Sequence, residues 1–140
     1  MDRQIIREKI ESLRRCIARV KSRCPAAVEQ LAADIDAQDI VSVNLSRAVQ
    51  IAVDIASHLI ADSDLPPPET MGEAFTRLHE AGVISAALAD RMRSAVGFRN
   101  IVIHQYRAID WQIAFAICTQ HIGDFEQFAA AIVAAVFERP

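Results

Sequence analysis

Apolar residues recur at three- and four-residue steps along most of the chain. Between residues 3 and 23, Ile6, Ile10, Leu13, Ile17 and Val20 form such a series, with arginine and glutamate common between them. At 100° per residue this is a single stripe on an amphipathic helix, and Pro25 marks its end. Asp36 and Asp39 open a second run, from about Ile40 to Ala61, in which Val41, Val43, Leu45, Val49, Ile51, Val53, Ile55, Leu59 and Ile60 cover nearly the whole circumference. A helix apolar on most sides is central in its fold or covered by a second chain. Residues 24–38 show no clear period, which leaves either a kinked continuation of the first helix or a loop.

The segment ADSDLPPPET ends the second run, because three consecutive prolines cannot continue a helix and make a stiff, extended spacer. Residues 69–81 then form a short helix stopped by Gly82. Ser85 caps a further helix from about Ala86 to beyond Ile103. Asp110 can cap a last one running through Ala114, Ile117, His121, Phe125, Phe128, Ile132 and Val136. No segment alternates with a two-residue period. The expectation is an all-α bundle of four or five helices, and 140 residues make room for one domain, 1–140.

Composition changes this picture mainly by exclusion. With 52% hydrophobic and 24% charged residues the chain can bury a core, which excludes a disordered protein. Fifteen Lys and Arg against eighteen Asp and Glu give a net charge of −3. There is no global basic field for nucleic acid, so any RNA contact must come from a local patch or a deep site. No stretch of about 18 uninterrupted apolar residues suggests a membrane span. The charged start, MDRQIIREKIESLRRC, has no apolar core of a secretory signal. Cys16, Cys24 and Cys118 lack the spacing of a disulfide framework or a zinc cage and read as thiols in a reducing cytosol. The expected location is cytoplasmic, with no metal or cofactor.

The chemistry concentrates in RMRSAVGFRNIVIHQYRAID, residues 91–110. On a continuous helix, Arg93, Asn100, His104 and Arg107 fall in one polar arc of about 60°. Such an arc offers a proton-transfer group, an amide and two guanidinium forks to one ligand, with Arg93 and Arg107 as candidate contacts to an anionic one. Arg99 and Tyr106 lie seven residues apart on another side, among Met92, Ala95, Val102 and Ile103. A guanidinium in apolar company needs a hydrogen-bonding or anionic partner. Arg99 and His104, five residues apart, point roughly 140° apart on a regular helix. The same segment repeated across a two-fold axis could bring them together, which is a reason to expect a homodimer.

Arg99-Asn100-x3-His104 matches the Arg-polar-x-His signature of the HEPN ribonucleases. With Gln105 and Tyr106 it becomes Arg-x4-His-x-Tyr and resembles the HepT toxins of HepT–MntA toxin–antitoxin systems. The Asp-Ile-Ala-x-His core of NLSRAVQIAVDIASHLI, residues 44–60, resembles the same group, and DFEQF at 124–128 does so more weakly. The resemblance implies a HEPN-type bundle acting as a metal-independent endoribonuclease, with both motifs lining a dimer-interface cleft. It implies Arg99 and His104 as the catalytic pair, Asn100 as a polar helper and Tyr106 as the site of AMPylation, with Arg93 and Arg107 as candidate RNA contacts. The implied partner is an MntA-like nucleotidyltransferase antitoxin of a type VII system.

Histidine titrates near neutrality and can move the ribose 2′-OH proton, while arginine supplies a permanent bidentate charge to the phosphate. Other polar positions have plainer readings. Asp54 and His58, at i and i+4, suit an ion pair or an interface contact, since no third metal ligand is evident. His79 reads as solvent-facing and His121 as structural, close to the apolar stripe of the last helix. Arg14, Arg15, Arg19, Lys21 and Arg23 form a solvated face or an RNA track. Two function classes therefore remain: the ribonuclease, and a catalytically inactive HEPN-type binding module that docks a nucleotidyltransferase.

Overall fold

The structure, a computed structural model, describes residues 1–139 and leaves Pro140, the last residue of the expected domain, outside. The chain runs through helices α1 (Arg3–Arg23), α2 (Val28–Ala33), α3 (Ile35–Ala61), α4 (Met71–Glu80) and α5 (Ala86–His104). A short 3₁₀ turn (Tyr106–Ala108) leads to α6 (Trp111–Ala116) and α7 (Ile122–Val133), with no strand among the described residues. The expected helical bundle is present, with α2 as a short addition.

α3 is the central element and packs against α1, α2, α4, α5 and α7. Ala48, Ala52 and Ala56 are fully buried along it, and small side chains of this kind let its neighbours approach closely. It is not buried on every side within the bundle: Val43 is 42% exposed and Ile35 70% exposed. Among the described residues α3 alone has the length and mean hydropathy to cross a membrane, yet 61% of its most apolar window is buried inside the bundle. Below it, the Phe75 ring of α4 meets Phe128 of α7 edge-on at 5.7 Å, both fully buried. This geometry suits the aromatic quadrupole.

The stretch without a visible period resolves as a separate short helix. α2 has six residues and buries only Leu31, too few for a repeat to show. The Gln38 side chain of α3 donates to the carbonyls of Leu31 (2.9 Å) and Ala32 (3.1 Å), satisfying the end of α2. α3 accordingly begins at Ile35, five residues before the position expected from its apolar pattern. Its start is fixed by Asp34, whose carboxylate accepts the Ala37 N–H at 3.1 Å.

The final helices form one continuous run with two π-helical turns, Ile117–His121 and Ala134–Glu138. The first changes the buried register: Ala114, Cys118, Ile122 and Phe125 face the core, and His121 is exposed. A regular 3.6-residue repeat places His121 near the stripe; the wider turn absorbs the mismatch and turns it outward. Its Nδ1 lies 3.7 Å from Asp124 Oδ2.

Gly82 closes α4 with φ +76°, its N–H bonded to His79 O and the Val83 N–H to Leu78 O, each at 2.9 Å. These two bonds are the Schellman pair, and they require a left-handed residue at this position. An added Cβ would meet nothing within 4 Å, so backbone strain alone decides the effect of substitution. Gly82→Ala is expected to lower stability by about 1 kcal/mol, read as a lower denaturation midpoint with unchanged slope.

Candidate functional site

α5 begins where the Ser85 hydroxyl accepts the Leu88 N–H at 3.1 Å. Its inner face buries Leu88, Ala89, Met92, Val96, Phe98 and Val102, which fixes the rotation of the motif-bearing C-terminal half. Arg99 is thereby turned towards α3 and half-buried. Its Nη2 donates to Gln50 Oε1 at 3.2 Å and its Nη1 to Asn100 Oδ1 at 3.1 Å. Arg99 Nε is buried and has no hydrogen-bond partner among the described residues.

The support continues behind Gln50. Its amide nitrogen donates to Asp54 Oδ1 at 3.0 Å, and Asp54 Oδ2 lies 3.7 Å from Lys9 Nζ on α1. A chain of polar contacts thus joins α1, α3 and α5 and ends on the Arg99 guanidinium. Asp54 makes these bonds in place of the expected pair with His58. Neither Gln50 nor Lys9 was marked by the sequence, because each meets its partner only across helices.

His104 is the last residue of α5 and is exposed. Arg99 faces α3 while His104 faces solvent, so one chain does not converge the two groups. Gln105 adopts φ −143°, ψ 51° and ends the helix, its N–H still bonded to Ile101 O at 2.8 Å. This break overturns the four-residue polar arc, which assumed a helix continuing through Arg107. Arg107 instead sits exposed on the 3₁₀ turn. Arg93 lies about 16 Å along the helix axis from His104. Its guanidinium is bonded to Thr76 Oγ1 at 2.8 Å and to Asp90, which ties it to the α4–α5 contact.

Tyr106 opens the 3₁₀ turn, and its hydroxyl donates to Asp39 Oδ1 on α3 at 2.5 Å. Its ring packs edge-on against Trp111 with centroids 6.3 Å apart, and the residue is 40% exposed. The contacts Arg99–Gln50 and Tyr106–Asp39 show that α3 and α5 run antiparallel. Burial, and next the Asp39 carboxylate, raise the phenol above its ordinary value of 10.0, with a smaller opposing effect from Ser42. Tyr106 is the only tyrosine, so phenolate absorbance reads it directly. In the folded protein that absorbance is expected to appear above the ordinary pH, and Asp39→Ala to bring the midpoint down. The sign for stability follows: with the folded value raised, this contribution is complete below about pH 10 and is lost as pH rises through the folded midpoint.

Exposed apolar side chains surround the motif. Ile101 is 37%, Ile103 52%, Val43 42% and Ile113 53% exposed. Beside them, Ala95, Phe98, Ile101, Ile113 and Ile117 line an open groove of about 340 Å³ between α5 and the final helical run. On the other side of the bundle the arginine-rich face of α1 is solvated, with Lys21 paired to Glu126 at 2.8 Å. Among the described residues no three His, Cys, Asp or Glu side chains gather as a metal-holding group.

The chain resembles known proteins in sequence and in fold. The family model described as ribonuclease HepT-like matches residues 13–132, almost the whole bundle. The chain belongs to the ribonuclease HepT-like family. It is 34% identical over 130 residues to the mRNA nuclease HepT of Shewanella oneidensis, covering 93% of this chain and 97% of that one. It is 26% identical over 106 residues to the tRNA nuclease HepT of Aphanizomenon flos-aquae, covering 76% of this chain and 72% of that one. Its fold matches the tri-AMPylated Shewanella oneidensis HEPN toxin, solved in complex with an MNT antitoxin, at a TM-score of 0.86. That match is 34% identical and covers 93% of this chain and 97% of the other. The HepT-like family and the HEPN fold expected from the Arg99–Tyr106 motif are therefore correct.

Proposed function

We propose that this HepT-like chain is a toxin that cleaves RNA as a homodimer of one-domain protomers, 1–140, in the cytoplasm, without a metal ion. Arg99, Asn100 and His104 form its catalytic set. The observation that carries this reading is the bracing of Arg99, a half-buried guanidinium held by Gln50 and Asn100 five residues before an exposed histidine. Holding a long cation in one geometry costs side-chain entropy, and the buried Nε without a partner adds a desolvation cost. Both are understandable if the guanidinium is preorganised for an anionic ligand.

Supporting the dimer are the exposed Val43, Ile101, Ile103 and Ile113 around the motif, a surface of the kind that a second copy would cover. The two motifs then face each other, and the Arg99 of one protomer works with the His104 of the other. His104 takes the 2′-OH proton, that oxygen attacks the adjacent phosphorus, and Arg99 holds the charge developing on the phosphoryl oxygens. The bond to the 5′-oxygen breaks and that oxygen receives a proton, leaving a 2′,3′-cyclic phosphate. DNA, which lacks the nucleophile, resists. Arg107 is free to follow the RNA backbone from its exposed turn, whereas Arg93 must first exchange its bonds to Thr76 and Asp90.

The partner is an MntA-like nucleotidyltransferase antitoxin that transfers AMP to Tyr106. Adenylate there, two residues from His104, adds negative charge and bulk at the cleft and repels the RNA phosphate. The relative solved as a tri-AMPylated toxin with its MNT antitoxin supports this control.

The test is RNA cleavage by unmodified protein in EDTA, with intact mass measured first so that adenylated material is not mistaken for an inert chain. Cleavage with cyclic-phosphate ends is expected. Folded, unmodified dimer that cuts none of several RNA classes overturns the nuclease reading and leaves a module that docks a nucleotidyltransferase.

A further inference from the structure

Asp39 has no place in the cleavage chemistry, yet it makes a close contact with the motif tyrosine. Its Oδ1 accepts the Tyr106 hydroxyl at 2.5 Å from a position 67 residues earlier in the chain. The two side chains meet at the surface, where α3 passes the end of α5, and both residues are exposed. Trp111 packs edge-on against the phenol ring, and the Ile109 N–H bonds the Tyr106 carbonyl at 3.2 Å, which fixes the backbone that carries it. The hydroxyl oxygen therefore stands at the surface with a carboxylate already aligned on its proton.

We propose that Asp39 is the catalytic base of the modification reaction, accepting the Tyr106 proton as the tyrosine is adenylylated. The inference rests on the reading of Tyr106 as the AMP acceptor and gives that acceptor its activating group. A hydroxyl is a weak nucleophile until its proton leaves, and an activated one is recognised by a base within hydrogen-bond reach. Burial and the same carboxylate keep the phenol protonated above its ordinary range, so the proton has to leave as the new bond forms, and the aligned carboxylate is the group placed to take it. In the step, Tyr106 Oη attacks the α-phosphorus of an ATP presented by the nucleotidyltransferase. The new Oη–P bond forms as the bond from that phosphorus to the oxygen bridging the β-phosphate breaks. Pyrophosphate leaves with the electron pair, and the phenolic proton passes to Asp39 and then to solvent. Nothing is oxidised or reduced.

The experiment follows the first adenylate gained, by intact mass, with the protein's MntA-like partner and ATP–Mg²⁺ at saturation. The wild-type chain is compared with Asp39→Asn, Asp39→Ala and Tyr106→Phe. Asparagine keeps an oxygen that can accept from Tyr106 but cannot take its proton, so it separates base from positioner. Both Asp39 variants are expected to lose about a hundredfold in maximal rate, the scale of general base catalysis, while the half-saturating partner concentration stays unchanged. Tyr106→Phe gains no adenylate at this site. Asp39 is exposed, so matching melting curves are expected and tie the loss to chemistry. A near-wild-type rate for Asp39→Asn overturns the proposal, as does a loss that lies wholly in the half-saturating concentration. A wild-type chain that gains no adenylate on Tyr106 overturns instead the acceptor reading beneath it.

Discussion

His104→Ala is expected to lower RNA cleavage in EDTA by about a hundredfold or more, the range lost when a general acid or base is removed. The effect is expected in the maximal rate under single-turnover conditions, as for a residue proposed to move a proton and not to seat the RNA. Stability is expected to stay level. His104 is exposed at the last position of α5, and the helix is already ended by Gln105 and by the Tyr106–Asp39 contact beyond it. Expressing the wild-type chain without an antitoxin is expected to arrest growth, and the same variant to relieve that arrest. An alanine variant that is folded, dimeric and as active as wild type would remove His104 from the chemistry.

The parts of this molecule that were legible in the sequence are those whose information is local. α1 repeats its apolar positions for 21 residues, and Ser85, Gly82 and Asp110 act within one turn of where they stand. The Arg99–Tyr106 motif is local too, and together with the Asp54–His58 helix and the all-α pattern it carried the resemblance to the family. What the pattern did not reveal is made by distance or by a change of helical period. α2 is held by one buried leucine and a side chain from the next helix, and neither leaves a periodic trace. The π turn at Ile117–His121 moves the buried face, so a regular projection puts His121 on the wrong side.

The site shows the same division. Arg99, Asn100, His104 and Tyr106 were marked, whereas Gln50, Lys9 and Asp39 were not. Their contacts to the site span separations of 49 residues for Gln50 and 67 for Asp39. The polar arc failed at its end because the helix stops at Gln105 without the glycine or proline that ordinarily signals a stop. One clue was present: Asp110 can cap a new helix only if the chain leaves the previous one, so a break before it was required.

The second large effect is expected at Arg99, where activity and stability should separate. Arg99→Met keeps most of the aliphatic volume against α3 but removes the charge. Loss of one preorganised donor to a developing oxyanion costs about a hundredfold to a thousandfold in rate. Arg99→Lys should recover little of this. A single ammonium cannot bond Gln50 and Asn100 and still offer a planar pair of donors to a phosphate. The stability expectation has the opposite sign. The wild-type residue carries a buried Nε with no partner, and replacing it with an apolar side chain removes a desolvation cost of about 1–3 kcal/mol while giving up two hydrogen bonds. These contributions nearly cancel, so the methionine variant is expected to melt close to wild type or above it. Residues kept at a cost to the fold are those that function requires. Thermal melting and single-turnover cleavage on the same preparations decide the matter, and a variant that melts well below wild type yet still cuts RNA would make Arg99 a structural residue.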